Sequence, residues 1–442
     1  MDTAKYNAYL NYLLNKYNVR GLDVEFLLKV VSTMIEYIDD NILQVMYTDL
    51  YESVYDYSLE LMESEYIDSN ILENIYGLSK EESIKMLESY LKMGLSFVFK
   101  YVMPKRSYNK SYIRSNKINY VKIDNQLEKL KSIIQPEQRS DEWYIFRNST
   151  LTASNIWKVF VSDYSQTQLI LEKCEPLDIN KFKVTNTNSP LHWGQKYEPV
   201  SILYYEYIHN TKVSEFGCIP HKDYSFIAAS PDGIICDGSS KLFGRMLEIK
   251  NVVSREITGI PKMEYWIQMQ LQMEVCNLNE CDFLETKFIQ YDTEEEYRED
   301  KETEYKGVIL QYLKGESPYY IYAPFMLSDL DSEEYKRWED EEKEKNKDLE
   351  LIARLYWKLV KISCVLVLRN KLWFKKVQPM IEIFWNNLVK ERESGEYKER
   401  IKKKRKLALE DAKSKSDFPM GGCLINPALF NKEEKAENVI IS

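Results

Sequence analysis

The 442-residue chain reads as a mixed α/β (α+β) protein with an all-helical N-terminal region and a helical C-terminal extension. Three observations predict this. Apolar residues recur at three- and four-residue spacing through the first hundred residues; Phe26, Leu27, Val30, Val31, Met34, Ile35 and Ile38 put a stripe on one helical face. From about Leu127 helical and strand-like segments intermix. After residue 330 a dense mixed-charge run, Glu333 to Glu350, leads into an apolar one, Leu351 to Leu368, both expected to be helical.

The punctuation sets the boundaries. Pro104 ends the last helix of an acidic domain over residues 1–104. Residues 105–126 read as a linker whose stretch from Lys105 to Ile123 has no acid and sets Lys105, Arg106, Lys110 and Arg114 among Tyr108, Tyr112 and Tyr120. Cations interleaved with aromatic rings suit a nucleic-acid backbone and its bases, although a solvated tether has the same composition. Residues 127–330 form the mixed core. There Asp141 and Glu142 open a helix carrying Trp143, Phe146 and Arg147, and Leu151-Thr152-Ala153-Ser154 is expected to begin another. Trp193 to His209 is helical, with Pro199 marking a kink or first turn. Tyr224 to Ala229, Gly233 to Cys236 and Met246 to Val253 read as strands, the last two joined as a hairpin through Asp237-Gly238-Ser239-Ser240. Tyr265 to Met273 is an apolar helix. Residues 331–411 form the helical extension, broken at Pro379 into at least two helices, and 412–442 a flexible tail.

Several function classes drop out. Seven scattered cysteines without a C-x-x-C pair are expected to be reduced thiols, and His192, His209 and His221 lack metal-ligand spacing, so a structural zinc site is not expected. Neither Gly-rich phosphate-loop motif occurs, which argues against a nucleotide cofactor. The most apolar stretch, Leu351 to Leu368, is interrupted by Arg354, Lys358 and Lys361, so no membrane span is expected. With no apolar leader at the N-terminus, the chain is expected to be intracellular. The net charge of −10 is concentrated in residues 1–100, which hold 17 acidic and 8 basic side chains. The near-neutral remainder leaves room for a locally basic groove.

The chemistry lies in a carboxylate constellation. Ser230-Pro231-Asp232-Gly233 precedes Glu248-Ile249-Lys250, and Glu198 lies upstream in Trp193-Gly194-Gln195-Lys196-Tyr197-Glu198. Alternation puts Glu248 and Lys250 on one face of a strand, where both can meet Asp232. Convergent carboxylates suit a hard, oxygen-seeking cation such as Mg²⁺ held against a phosphodiester, and an adjacent lysine supplies positive charge or a proton-transfer group. Arg147, with Thr152 or Ser154 at a helix start, suits a terminal phosphate. Gln268, one turn after Tyr265, is an amide on an otherwise buried helix and needs partners.

Five segments in this order, Trp143-x-x-x-Arg147 with Leu151 to Ser154, Trp193-Gly194-x-x-Tyr197-Glu198, Ser230 to Gly233, Glu248 to Lys250 and Tyr265-x-x-Gln268, resemble the lambda-type exonucleases. These are also called the YqaJ-like viral recombinase family of the PD-(D/E)XK nuclease superfamily, and the resemblance covers about residues 135–325. It implies a central mixed β-sheet flanked by helices and two Mg²⁺ ions, or Mn²⁺. Asp232, Glu248 and the Ile249 carbonyl would bind the metals, with Glu198 completing the second position. Lys250 would position or deprotonate the attacking water and Gln268 orient the site, while Arg147, Ser154 and Ser230 would receive the 5′-phosphate. The implied reaction is 5′→3′ degradation of one strand of double-stranded DNA, leaving 3′ single strands for an annealing protein. Some relatives are ring-shaped trimers.

Two other readings share these residues: a structure-specific or nicking endonuclease on the same fold, and a scaffold that binds DNA or protein without cutting. An intact set of Glu198, Asp232, Glu248 and Lys250 speaks against the scaffold. If viral, the protein is expected in the host cytoplasm or nucleus. The run from Lys398 to Lys406, with Lys402 to Lys406 at its basic end, suits a nuclear-import signal, a DNA-backbone clamp or a solvated helix end.

Overall fold

The computed structural model describes residues 12, 16, 23–109, 119–138, 140–179, 186, 187, 189–315 and 317–400. Lys110 and Arg114 of the linker, the run from Lys402 to Lys406 and the tail 412–442 lie outside the described residues.

The N-terminal region is helical: α1 (Val24–Asp40), α2 (Leu50–Met62), α3 (Ile71–Tyr76) and α4 (Lys80–Phe97). Asp23 caps α1 by accepting from the Phe26 amide at 2.9 Å, and Ser79 and Glu82 form a reciprocal capping box at α4. α1 and α4 cross closely at Gly94, where a Cβ would stand 2.8 Å from Val30 Cγ1.

The linker ends in α5 (Tyr120–Ser132). Arg106, expected among the candidate DNA-backbone contacts, is instead built into the fold. Its two terminal nitrogens donate to the carbonyls of Met46 and Pro261, its own carbonyl accepts from Trp266 Nε1 at 3.1 Å, and burial lowers its pKa to about 10. A guanidinium satisfied by backbone on two sides is a clamp between the helical region and the core. Lys105 is exposed, 5.9 Å from the Tyr51 ring centroid.

The core comprises α6 (Asp141–Asn148), β1 (Leu151–Thr152), α7 (Asp163–Cys174), α8 (Pro190–His209), β2 (Val213–Ser214), β3 (Ile219–Pro220), β4 (Ile227–Ala229), β5 (Gly233–Ile235), β6 (Met246–Asn251), α9 (Met263–Cys276) and β7 (Glu280–Gln290). It continues through α10 (Glu294–Glu299), β8 (Lys306–Lys314), β9 (Ser317–Tyr322), α11 (Glu333–Lys345), β10 (Glu350–Leu368) and α12 (Lys371–Ser394). Seven strands form a mixed sheet in the order β2-β5-β6-β7-β10-β8-β9, in which only β6 and β7 run parallel. A second, three-stranded sheet has β4 between β1, parallel to it, and β3, antiparallel.

Three expectations are corrected. Leu151-Thr152 is a strand, not the start of a helix: Leu151 N and Ala153 N donate to the Phe226 and Ala228 carbonyls, and a 3₁₀ turn over Ile156–Val159 follows. Leu351 to Leu368 lies within strand β10. Its exposure alternates from Glu350 to Leu355, where it pairs with β8, and it is fully buried over Val365 to Leu368, where it pairs with β7 and Val365 and Val367 join the main apolar core. The sheet therefore closes only at Leu368, beyond residue 330. Lastly, α12 is one helix through Pro379. That ring is exposed while Trp373, Phe374, Val377, Ile381, Phe384 and Leu388 are buried, so the Lys375 carbonyl left without a donor faces the solvated side.

One apolar core joins these parts. It runs from Phe26, Val30 and Met34 of α1 through Trp266 and Met269 of α9 to Trp373 and Leu388 of α12.

Candidate active site

The hairpin β5–β6 brings the acidic residues together. Gly233 pairs with Leu247 and Ile234 with Met246, so Asp232, at the start of β5, stands beside Glu248 and Ile249. The Ile249 amide donates to Asp232 Oδ2 at 2.7 Å. Glycine after Asp232 lets β2 approach closely, since a Cβ at Gly233 would lie 2.1 Å from Val213 Cγ1. Glu248 is fully buried and Lys250 partly exposed, and Lys250 Nζ donates to Glu248 Oε1.

Glu198 reaches the same cleft from α8. Ser189 caps that helix at His192 N and Pro190 occupies its first turn. Pro199 has no amide hydrogen for the Gln195 carbonyl, and both Gln195 and Glu198 line the cleft. Two cavities, of about 510 and 460 Å³, share Glu198 and Asp232 as walls. The first is bordered by Ser230, Phe216 and the segment Gln135 to Gln138, and the second by Lys250, Arg255 and Tyr265.

The electrostatics favour a bound cation. Burial, and then the Glu248 charge, push the Asp232 carboxyl well above its ordinary pKa. Burial works against the Lys250 ammonium, but Glu248 and Asp232 outweigh it and hold the lysine protonated beyond its usual range. Clustered oxygen donors of which one resists ionisation are what a divalent cation relieves. A second cluster, His209, Asp282 and Cys364, has ligand atoms within 4.8 Å of one another. There Asp282 already accepts from Arg245 Nη1 at 3.3 Å and the Tyr205 hydroxyl at 2.7 Å, so its charge is spent on a buried ion pair.

Two residues that sequence reasoning missed hold the site. Asn251, just after Lys250, donates to the Gly194 carbonyl of α8 at 2.8 Å and accepts from Ser201 and Thr286, each at 2.7 Å. It ties the helix of Glu198 to the strand of Lys250. Gln272 donates to Glu248 Oε2 at 2.7 Å. Gln268, expected to orient the site, is half-buried one turn earlier and is not among the residues lining either cavity. Burial separates the two amides of α9: Gln272 is fully buried and Gln268 half-buried.

Of the expected phosphate-binding residues, Ser230 borders the first cavity, whereas Arg147 and Ser154 border neither. Parallel pairing of β1 with β4 sends the chain after Thr152 and after Ala229 to the same end of the small sheet, where exposed Ser154 and half-buried Ser230 both leave it. Arg147 ends α6 with its guanidinium 4.5 Å from the Trp143 centroid. The Arg147 carbonyl accepts from buried Lys173 at 2.6 Å, and Arg392 of α12 donates to the Lys173 carbonyl at 2.7 Å.

Residues 142–279 match the family model of the YqaJ-like viral recombinase domain, so the segment holding Arg147, Glu198, Asp232, Glu248 and Lys250 is a YqaJ-like domain. The chain's seven-stranded mixed sheet flanked by helices, which extends beyond the matched residues to β10, agrees with the PD-(D/E)XK fold of that family. An uncharacterized protein of Acanthamoeba polyphaga mimivirus is 32% identical over 359 residues, 71% of this chain, and the chain spans 63% of that relative's length. Among solved structures, the alkaline exonuclease LHK-Exo from Laribacter hongkongensis is 19% identical with a TM-score of 0.34, covering 59% of this chain and 98% of its own. Its complex with dAMP gives 20% identity at the same TM-score and the same coverage of both chains. Among the described residues no helix is long and apolar enough to cross a membrane.

Proposed function

We propose that the chain is a divalent-metal-dependent deoxyribonuclease that degrades one strand of duplex DNA 5′→3′ from 5′-phosphorylated ends. The 3′ single strands left behind would feed recombination or replication of a viral or phage genome. The convergence of Asp232 and Lys250 in one cleft faced by Glu198, with fully buried Glu248 bonded to Lys250 behind them, carries this reading.

Asp232 and Glu248, with the Ile249 carbonyl and with Glu198 at a second position, would hold two Mg²⁺ or Mn²⁺ ions. When bound, such ions polarise the phosphoryl group and offset charge on the leaving oxygen. The carboxylates keep their oxygens aimed by donors from β6 and α9, so little reorganisation accompanies reaction. Lys250, held protonated by its acidic neighbours, offers N–H donors to the attacking water and to a phosphoryl oxygen; only after its proton is drawn away would it serve as a base. Arg147, Ser154 and Ser230 are proposed to take the 5′-phosphate, and Gln268 to support the site. A single-strand annealing protein as the next partner and a homotrimeric ring belong to the same reading.

The test is digestion, with Mg²⁺, of three matched duplexes: linear with 5′-phosphates, linear with 5′-hydroxyls, and covalently closed. Preferential loss of the first, with mononucleotides released from its 5′ ends, is expected. Cutting of the closed circle would make the protein an endonuclease.

A further inference from the structure

We propose that Gln272 is a positioning residue of this site, setting the geometry in which the two acidic segments take up a divalent cation. The inference rests on the nuclease reading above. Gln272 is fully buried in α9 and its amide nitrogen makes two bonds: to Glu248 Oε2 at 2.7 Å and to the Ser230 carbonyl at 3.2 Å. The acceptors lie on the chain paths of different sheets, one within β6 and the other just past β4. Glu248 lies on β6 of the seven-stranded sheet, whereas Ser230 follows β4 of the three-stranded one, two residues before Asp232. One amide thus spans the junction at which the carboxylates meet.

The Glu248 carboxylate is gripped from both sides, Oε1 by Lys250 and Oε2 by Gln272, which fixes its plane. An amide does this without positive charge, so it orients the ligand and does not compete with a cation as a second lysine or arginine would. Loss of the amide leaves a buried carboxylate oxygen and a backbone carbonyl without their donor. Gln270, two residues earlier and equally buried, provides the contrast. It donates to the Leu368 carbonyl at 2.9 Å and accepts from Asn370 N at 2.7 Å, tying α9 to the end of β10 and the start of α12.

Mn²⁺ binding to the full chain, measured by titration calorimetry, tests this with Gln272→Met, Gln272→Asn and Gln270→Met beside the wild type. Gln272→Met should weaken Mn²⁺ binding by roughly 10–100-fold. The metal concentration for half-maximal cleavage should rise by the same factor, with kcat recovering at saturating metal. Gln270→Met should lower Tm and leave Mn²⁺ affinity unchanged. Should Gln272→Met fail to fold, Gln272→Asn, a methylene shorter, must still weaken Mn²⁺ binding. Equal affinity in the wild type and the folded Gln272 variants would overturn the inference, as would equal losses at Gln270 and Gln272, which would make the role merely structural. A wild type that binds no Mn²⁺ would remove the nuclease reading with it, a distinguishable result.

Discussion

Asp232 is a strained participant in its own fold. It accepts the Ile249 amide, but burial and the Glu248 charge raise its pKa well above the ordinary 3.9 or so. An acid whose folded pKa is raised adds stability that is fully present below its unfolded value and is lost as pH rises through the folded one. At neutral pH, without metal, holding the Asp232 carboxyl in the folded site therefore costs stability relative to the unfolded chain. Asp232→Asn should raise the Tm of the metal-free protein at pH 7.5 by about 2 °C or more. Divalent cations should then stabilise the wild type and not the variant; no rise in the metal-free variant contradicts this account. Juxtaposition was legible where residue types and order suffice, as for Asp232, Glu248 and Lys250. It was not legible for Gln272, because three glutamines at alternate positions of one helix differ only in which way each faces. Arg106 misled for a related reason: a cation among tyrosines looks solvent-facing until the carbonyls of Met46 and Pro261, far away in sequence, close on it.

Elements were easiest to read where periodicity and caps agree, as in α6, α8 and the β5–β6 hairpin. They failed in β10. A run such as Leu-Tyr-Trp-Lys-Leu-Val-Lys-Ile over residues 355–362 has apolar residues at spacings a helix also accepts. Only its neighbours β7 and β8 decide the matter, and pairing with β8 needs a return of about forty residues. The strand assignment makes a firm prediction. Truncation after Leu349, which removes β10 and leaves every candidate active-site residue, should give an insoluble or unfolded product, because β7 and β8 lose their shared partner. A soluble truncated chain with native circular dichroism would show that the sheet does not depend on β10.

At the scale of the molecule, the acidic helical region is docked, not appended. Lys376 of α12 pairs with Asp39 of α1 at 2.6 Å, Arg106 joins Met46 to Pro261, and α1, α9 and α12 share one apolar core. Composition marked a boundary near Pro104 and could not reveal that continuity, since an apolar stripe does not name what covers it. A shared core predicts one calorimetric transition for the helical region and the sheet together, with Arg106→Ala lowering its midpoint. Two separated transitions would mean the regions unfold independently.

The cleft bordered by Glu198, Asp232 and Lys250, with Glu248 buried behind it, is proposed to cut DNA. The most direct measurement is hydrolysis of a linear 5′-phosphorylated duplex by the wild type, Asp232→Asn and Lys250→Ala with Mg²⁺ or Mn²⁺, alongside duplex binding by the same proteins. Cleavage by the wild type, its loss in both variants and retained binding in all three are predicted. Substantial metal-dependent cleavage by either variant would contradict it.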